Sequence, residues 1–434
     1  MSYFPWEGDW GVLKYNKKTM INPFLNAQLQ VKEACNLFGE CSNDVSKYEV
    51  LSQPKRIIEV NIPVRMDDWN IKTFLGFRAQ HNDSRGPFKW WIRFHQDVNR
   101  DEVKALSMWM TFKCAIIDIP LWWGKWWIIV NPKELSELEL ERLARWYVRA
   151  LYKYLGPEKD VPAPDVNTNP KIMAWMMDEY SELVWKYSPW SFTWKPLEVW
   201  GSKWRGAATA QGGVYVLQKI LEKQNDVLGW KTFIIQWAWN AWLTMARLLT
   251  ELWAKLIWIS DSKWWIYNEH WLFVDELISL KSSRKSVIEY VDATKLKHKE
   301  VLYKKCDILI PAALENQITD SNVEKIKTKL ILELANWPIT PKADKILFKN
   351  WVVVIPDILA NAGGVMVSYF EQVQNNANFY WEEDEIDEKL NKKITCAAEQ
   401  TYNKAKELNS NLRNWAYVIA IKRVLDAMEA RWEV

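Results

Sequence analysis

Residues 232–242 read T-F-I-I-Q-W-A-W-N-A-W. A β-forming run is followed by Trp237, Trp239 and Trp242, the spacing of G-x-G-x-x-G in a dinucleotide-binding turn. There the first glycine permits a tight turn, the second lets the backbone approach the pyrophosphate, and the third allows close helix packing. Such units place an acid about 20 residues on, where it bonds the ribose. Asp261 stands at that distance, at the end of the next β-forming run. It favours an unphosphorylated ribose, whereas Ser260, Ser262 and Lys263 beside it suit a phosphate, so the spacing admits NAD or NADP. As written, the turn is obstructed. An indole at positive φ meets its own Cβ clashes, and its roughly 150–250 Å² of surface fills the phosphate space. The plainer reading, a tryptophan-rich core helix, is outweighed by the strand, helix and acid being in their places.

A second set of reactive types is Lys89, Lys113, Lys125 and Asp165. A lone lysine is usually a solvated surface charge, and an aspartate in a proline-punctuated loop such as residues 161–170 is usually a turn former. What raises the lysines is their neighbours: Trp90 and Trp91 follow Lys89, and Trp122, Trp123, Trp126 and Trp127 flank Lys125. The chain holds 31 tryptophans and only 14 glycines in 434 residues, where glycine is usually about 7%. If tryptophan stands where glycine belongs, these lysines lie beside backbone that a ligand can approach. Two ammonium groups suit a substrate with two carboxylates, and a third amine is left for catalysis.

The 57 basic and 54 acidic side chains leave a net charge of +3, which excludes a polybasic nucleic-acid tail. With 49% hydrophobic and 26% charged residues, the composition is that of a globular chain long enough for two or three cores. Five cysteines lie scattered without a C-x-x-C pair, and the amino-terminal residues lack a signal-like apolar core. The apolar stretch of residues 351–370 is broken by Pro356, Asp357, Asn361 and a glycine pair. These features predict a cytoplasmic protein with no disulfide framework and no membrane span. The four histidines show no ligand-like spacing, so no metal is expected.

The elements that must position these residues follow from periodicity. β-forming runs are expected at 56–64, 232–236, 255–260, 308–311, 329–334 and 351–356, and helices at 101–112, 136–155, 241–252 and 416–430. From Gly201 the pattern is strand, helix, strand, as in a parallel sheet. Ile386, Leu390, Ile394, Ala397 and Thr401 mark another helix, whose acids at 382–385 complement the dipole of its first turn.

Over almost its whole length the chain resembles the glutamate dehydrogenase family. K-G-G-I-R-F-H appears as Lys89-Trp90-Trp91-Ile92-Arg93-Phe94-His95, and P-x-G-G-x-K-G-G as Pro120 to Trp127. D-V-P-A-P-D is intact at Asp160 to Asp165, and N-A-G-G-V-x-V-S-Y-F-E at Asn361 to Glu371. Departures from the family's glycines go to tryptophan, which reads as a code in which UGA means glycine. Gly212, Gly213, Gly363 and Gly364 remain glycine, Trp175 and Trp381 read as genuine, and Trp109 is undecided.

The resemblance implies NAD(P)-dependent oxidation of L-glutamate to 2-oxoglutarate and ammonia, with hydride passing from Cα to the nicotinamide. Lys125 would be the catalytic amine and Asp165 its partner acid and base. Lys89 would hold the side-chain carboxylate together with Ser368, and Lys113 the α-carboxylate. Thr209, Asn240 and Asn336, with the turn positions 237, 239 and 242, would contact the cofactor. The implied fold is α/β: a substrate-binding and oligomerisation domain over 1–196, a Rossmann-type domain over 197–360, and helices over 361–434 returning to the first domain. A homohexamer is implied as well. Two alternatives stay open. One is a dehydrogenase of leucine, valine or phenylalanine, against which the Lys89 ammonium counts. The other is an inactive homologue or tryptophan-rich binding module whose indoles are real.

Overall fold

In the computed structural model the described residues are 22–39, 45–97, 99–203, 206–237, 240–261, 264–283, 285–296 and 299–433. Alternation of buried Ile62 and Val64 with exposed Pro63 and Arg65 makes β1 (Arg56–Arg65) a half-buried strand. Pro63 is tolerated because β1 lies at the sheet edge. β1 is preceded by helices α1 (Pro23–Phe38) and α2 (Val45–Leu51) and followed by β2 (Ile71–Gln80) and β3 (Phe88–Phe94). Helix α3 (Arg100–Ile116), β4 (Trp122–Ile128), α4 (Glu137–Leu151), β5 (Asp160–Pro164) and α5 (Pro170–Leu183) complete this part. The order across the sheet is β1-β2-β4-β3-β5, with β3 parallel to both β4 and β5.

The parallel part of the second sheet is built from apolar runs buried on both faces, as parallel strands are. β6 (Thr232–Gln236) carries Phe233, Ile234 and Ile235, each with no exposed surface. Helix α6 (Ala208–Lys223) precedes it and α7 (Asn240–Glu251) leads to β7 (Lys255–Ser260). Then come β8 (Trp265–Tyr267), α8 (Val274–Ser282), β9 (Thr294–Leu296), β10 (Ile308–Pro311), β11 (Leu330–Leu332), α9 (Pro341–Lys349) and β12 (Val353–Ile355). The order is β12-β11-β10-β6-β7-β8-β9. β6 therefore has β7 on one side and β10 on the other, so the direction of winding reverses at its carboxyl end, which is where open α/β sheets bind ligands.

After α10 (Asp357–Ala360) the chain forms α11 (Gly363–Ala377), α12 (Glu383–Glu407) and α13 (Leu412–Ala430). α13 returns to the first part, packing on α1 and α3. Arg423 from α13 donates to Ala115 O and Ile116 O, both at 2.7 Å, satisfying carbonyls at the end of α3. α6 and α11 approach closely enough that a Cβ on Gly363 would lie 2.1 Å from Ala208 O. The acids of the 382–385 run cap α12 as expected, Glu382 and Glu385 closing a reciprocal capping box. Several boundaries differ from expectation: the 101–112 helix runs Arg100–Ile116, the 416–430 helix begins at Leu412, and the 329–334 run is a strand only over Leu330–Leu332. The 136–155 helix stops at Leu151 and tightens into a 3-10 turn, and the last strand begins at Val353 because Trp351 is still leaving a helix.

That exit is one of many made by tryptophan. Positive φ is found at Trp69, Trp185, Trp194, Trp200, Trp230, Trp237, Trp253, Trp337, Trp351 and Trp432. The other described non-glycine residues at positive φ are Asp118, Asn167, Asn225, Asn316, Asn378 and Asn409. Asparagine and aspartate visit this region routinely, and other L-residues incur about 1–2 kcal/mol each. Ten such tryptophans together cost about 10–20 kcal/mol, as much as a whole protein's net stability of about 5–15.

Two substitutions test this packing. Trp185 is 96% exposed, so Trp185→Gly loses no core contact and should raise stability by about 1–2 kcal/mol. Gly363→Ala should lower it by about 1–3 kcal/mol through overpacking. The midpoint of urea unfolding reads both, and a Trp185→Gly protein no more stable than its parent would contradict the conformational argument.

Candidate active site

β3, β4 and β5 run in parallel, and this alignment gathers the first set of site residues. Lys89, in β3, pairs with Val161 of β5 and with Trp123 of β4. Asp165 lies just past β5, where its N–H donates to Ile92 O at 3.1 Å and to Thr168 Oγ1 at 2.8 Å. Lys125 lies in the middle of β4, opposite Ala79 of β2, and its side chain is outside the described ones.

Lys89 has no exposed surface. Its ammonium donates to Val161 O at 3.3 Å and makes a short hydrogen bond to Thr193 Oγ1. Thr193 in turn bonds Ser368 Oγ at 2.8 Å. Lys89 and Ser368, expected to share the side-chain carboxylate, thus meet through a threonine that no motif pointed to. Burial pushes the Lys89 ammonium down to about 7, opposed by the charge of Glu371 and reinforced by that of Lys195. Lys195 and Glu371 form their own buried ion pair at 2.9 Å. A buried ammonium lying among hydroxyls is chemically suited to a carboxylate, which would restore its charge.

Lys113 sits in the last turn of α3, also buried. Burial lowers its pKa, and the charges of Asp357, Cys114 and Asp165 oppose the shift. Its ammonium donates to Asn336 Oδ1 at 2.9 Å, and the same oxygen accepts from Asn361 Nδ2 at 3.2 Å. This hydrogen bond crosses from the first sheet's helix to a loop of the second sheet, so Lys113 and the expected cofactor-side Asn336 are in direct contact. Asp165 accepts from Arg93 Nε at 3.1 Å. Arg93 lies within the motif that carries Lys89 but was given no role by the sequence. Its guanidinium also stands 4.9 Å from the Trp127 ring centroid.

On the nucleotide side, Trp237 follows β6 with φ +86° and donates its N–H to Ser260 Oγ at 2.9 Å. Thr209 lies in the first turn of α6, where a Cβ on Gly364 would be 2.5 Å from its hydroxyl. Asp261 differs from the open carboxylate expected for a ribose. It accepts from Trp264 N at 3.0 Å, Ser286 Oγ at 2.6 Å and Val287 N at 3.0 Å, and so braces the loop after β7. Asn240 and Trp242 begin α7, and their side chains are outside the described ones. Trp239, Ser262 and Lys263 lie outside the described residues altogether.

A pattern for the Glutamate/Leucine/Phenylalanine/Valine dehydrogenase family matches residues 201–431. One for the Glu/Leu/Phe/Val dehydrogenase dimerisation domain matches residues 54–182. An NAD-specific glutamate dehydrogenase of Staphylococcus aureus (strain COL) is 44% identical over 401 residues, covering 92% of this chain and 96% of its own. Glutamate dehydrogenase from Peptoniphilus asaccharolyticus has a similar structure, with TM-score 0.84 and 39% identity over 95% of this chain and 100% of that one. A hetero-hexameric glutamate dehydrogenase from Thermus thermophilus gives TM-score 0.87 and 27% identity over 96% and 99%.

The buried lysine has a measurable consequence. Lys89 titrates at about 7 in the folded protein against an ordinary 10.5, so between these values the unfolded chain binds a proton that the folded one does not. Its destabilisation is complete below the lower value and vanishes above the upper one. Lys89→Met should therefore raise the urea midpoint more at about pH 6 than at about pH 9.5. An equal effect at both would show that Lys89 is not shifted.

Proposed function

The chain belongs to the Glu/Leu/Phe/Val dehydrogenase family, and from that premise we propose that it catalyses the NAD-dependent oxidative deamination of L-glutamate to 2-oxoglutarate and ammonia. The observation that carries the choice of substrate is the Lys89 ammonium, fully buried and joined to Ser368 through Thr193. A second carboxylate on the substrate fills that site, whereas a leucine, valine or phenylalanine side chain would leave a buried polar cluster unmatched.

In this reading Lys89, Thr193 and Ser368 bind the side-chain carboxylate and Lys113 the α-carboxylate. Lys113 then exchanges part of its bond to Asn336 for the substrate. Lys125 activates the water that displaces ammonia, and Asp165 carries the proton. Arg93 donates to the Asp165 carboxylate at 3.1 Å and fixes its orientation. The amino-terminal part serves substrate binding and oligomerisation, residues 197–360 serve the dinucleotide, and the assembly is a homohexamer working in the cytoplasm.

The backbone offers a dinucleotide its usual place beyond β6, at the reversal of winding. The residue at the head of that turn does not fit the motif that holds the group: Trp237 occupies the first-glycine position at φ +86°, where the tight turn calls for glycine and an indole meets its own Cβ clashes.

The test is a substrate panel on protein purified from its own host, following NADH formation. L-glutamate should exceed L-leucine, L-valine and L-phenylalanine in kcat/KM by about a thousandfold or more, because their apolar side chains leave the buried groups unpaired. Comparable turnover of an apolar amino acid would sink the assignment to glutamate.

A further inference from the structure

Trp237 is one case of a regularity that runs through both sheets. Four helix exits close with the same pair of hydrogen bonds, in which the left-handed residue and its successor donate back to the last turn. At Trp185 these are Trp185 N to Glu182 O and Lys186 N to Ser181 O, at 3.2 and 3.1 Å. At Trp253 they reach Thr250 O and, from Ala254, Leu249 O, both at 3.0 Å. Trp351 and Trp432 repeat the arrangement after α9 and α13. This is the Schellman exit, whose left-handed position is taken by glycine and sometimes by asparagine. The same chain makes it with Asn225, Asn378 and Asn409. Asparagine fills the minority share, then, and tryptophan fills the place of glycine.

The hairpin between β1 and β2 makes the same point in another turn. Trp69 N donates to Met66 O at 3.1 Å and Met66 N to Asn70 O at 2.8 Å, with Trp69 left-handed. That is a tight hairpin loop ending in a left-handed residue, a position glycine takes. Three of the indoles have almost no packing that would compensate. Trp185, Trp432 and Trp351 are 96%, 95% and 87% exposed. Trp337 is buried, and among the described residues its indole N–H meets no acceptor. Apart from Trp230 and Trp253, whose ring centroids lie 6.0 Å apart, these tryptophans are spread over a hairpin, separate helix ends and loops of both halves and form no common stacking surface.

We infer that the chain made in its host carries glycine at these ten left-handed positions, from a codon that the host reads as glycine and the standard table as tryptophan. Trp175 is the internal contrast: it lies inside α5, in right-handed helix, where tryptophan meets no such objection, and it stays tryptophan. With glycine at 237 the tight turn that opens the dinucleotide motif after β6 no longer carries a side chain in left-handed backbone. The inference thus deepens the dinucleotide site of the function proposed above, but it stands on backbone conformation and not on activity.

The experiment is mass spectrometry of tryptic peptides of the protein isolated from its host. Residues 172–186, released between Lys171 and Lys186, hold both Trp175 and Trp185. Residues 330–342 hold Trp337, and residues 232–247 hold Trp237. The expected result is tryptophan at 175 with glycine at 185, 237 and 337, each lighter by one indolylmethyl group. Tryptophan at 185 and 337 overturns the inference, and glycine at 175 overturns the rule that conformation identifies the recoded positions. If the glycines are found and the same preparation gives no glutamate-dependent NADH, the proposed function fails while this inference stands.

Discussion

A chain leaves an α-helix without orphaning its last carbonyls by passing one residue through left-handed backbone, and the layers of this fold are joined by such passages. β7 begins two residues after Trp253, and β12 two residues after Trp351. The exit direction sets where each strand enters the sheet, and with it the register of the parallel strands that meet at the β6 turn. The same constraint shapes the β1–β2 hairpin and hence the frame on which β4, the strand of Lys125, is paired. Where these positions carry asparagine the geometry is ordinary. Where they carry an indole, a backbone cost is incurred that glycine would not have.

Charge burial is the second organising feature, and it links distant parts of the chain. Arg413 of α13 donates to Glu333 at 2.7 Å and Asp344 at 3.2 Å, and lies 3.5 Å from Asp357, with all four groups buried. Removing one member would leave uncompensated charge in the interior, which is why such clusters act as an all-or-none clasp. Here the clasp ties the last helix to the second sheet. Asp357 also accepts from Trp337 N at 3.2 Å, which positions the loop whose Asn336 meets Lys113. Lys113 is in this way tied, through Asn336, to the last helix.

Behind Lys89 a similar pair supports the first sheet. Arg78 and Asp160, both without exposed surface, form an ion pair to which Gln80 adds a hydrogen bond at 2.6 Å. The guanidinium fills the space in which a Cβ at position 124 would lie, 1.2 Å from Arg78 Nη1. The residue before Lys125 is therefore glycine for a packing reason. The pair lies close enough to Lys89 for Asp160 to act on its charge, so the scaffold and Lys89 share one electrostatic environment.

Periodicity and motif content were enough to locate β6, β7 and β10 to the residue, because runs buried on both faces leave little ambiguity. They also singled out Lys89, Lys113 and Ser368 as candidates, because lysines beside glycine-type backbone and a long intact motif are local signals. Thr193 was not legible. It becomes a partner of Lys89 and Ser368 only when a connecting segment between the sheets folds over β5, and no local pattern encodes that contact. Arg93 and Asp261 were visible as residue types, but their partners, Asp165 in one case and the 286–287 loop in the other, come from elements 72 and 25 residues away. The sequence by itself determined the elements, the family and the excess of tryptophan over glycine, all properties of neighbouring residues. Only the tertiary structure decided which charges are buried together and which tryptophans stand in left-handed backbone, because burial and φ are set by where the chain must turn and what then covers it.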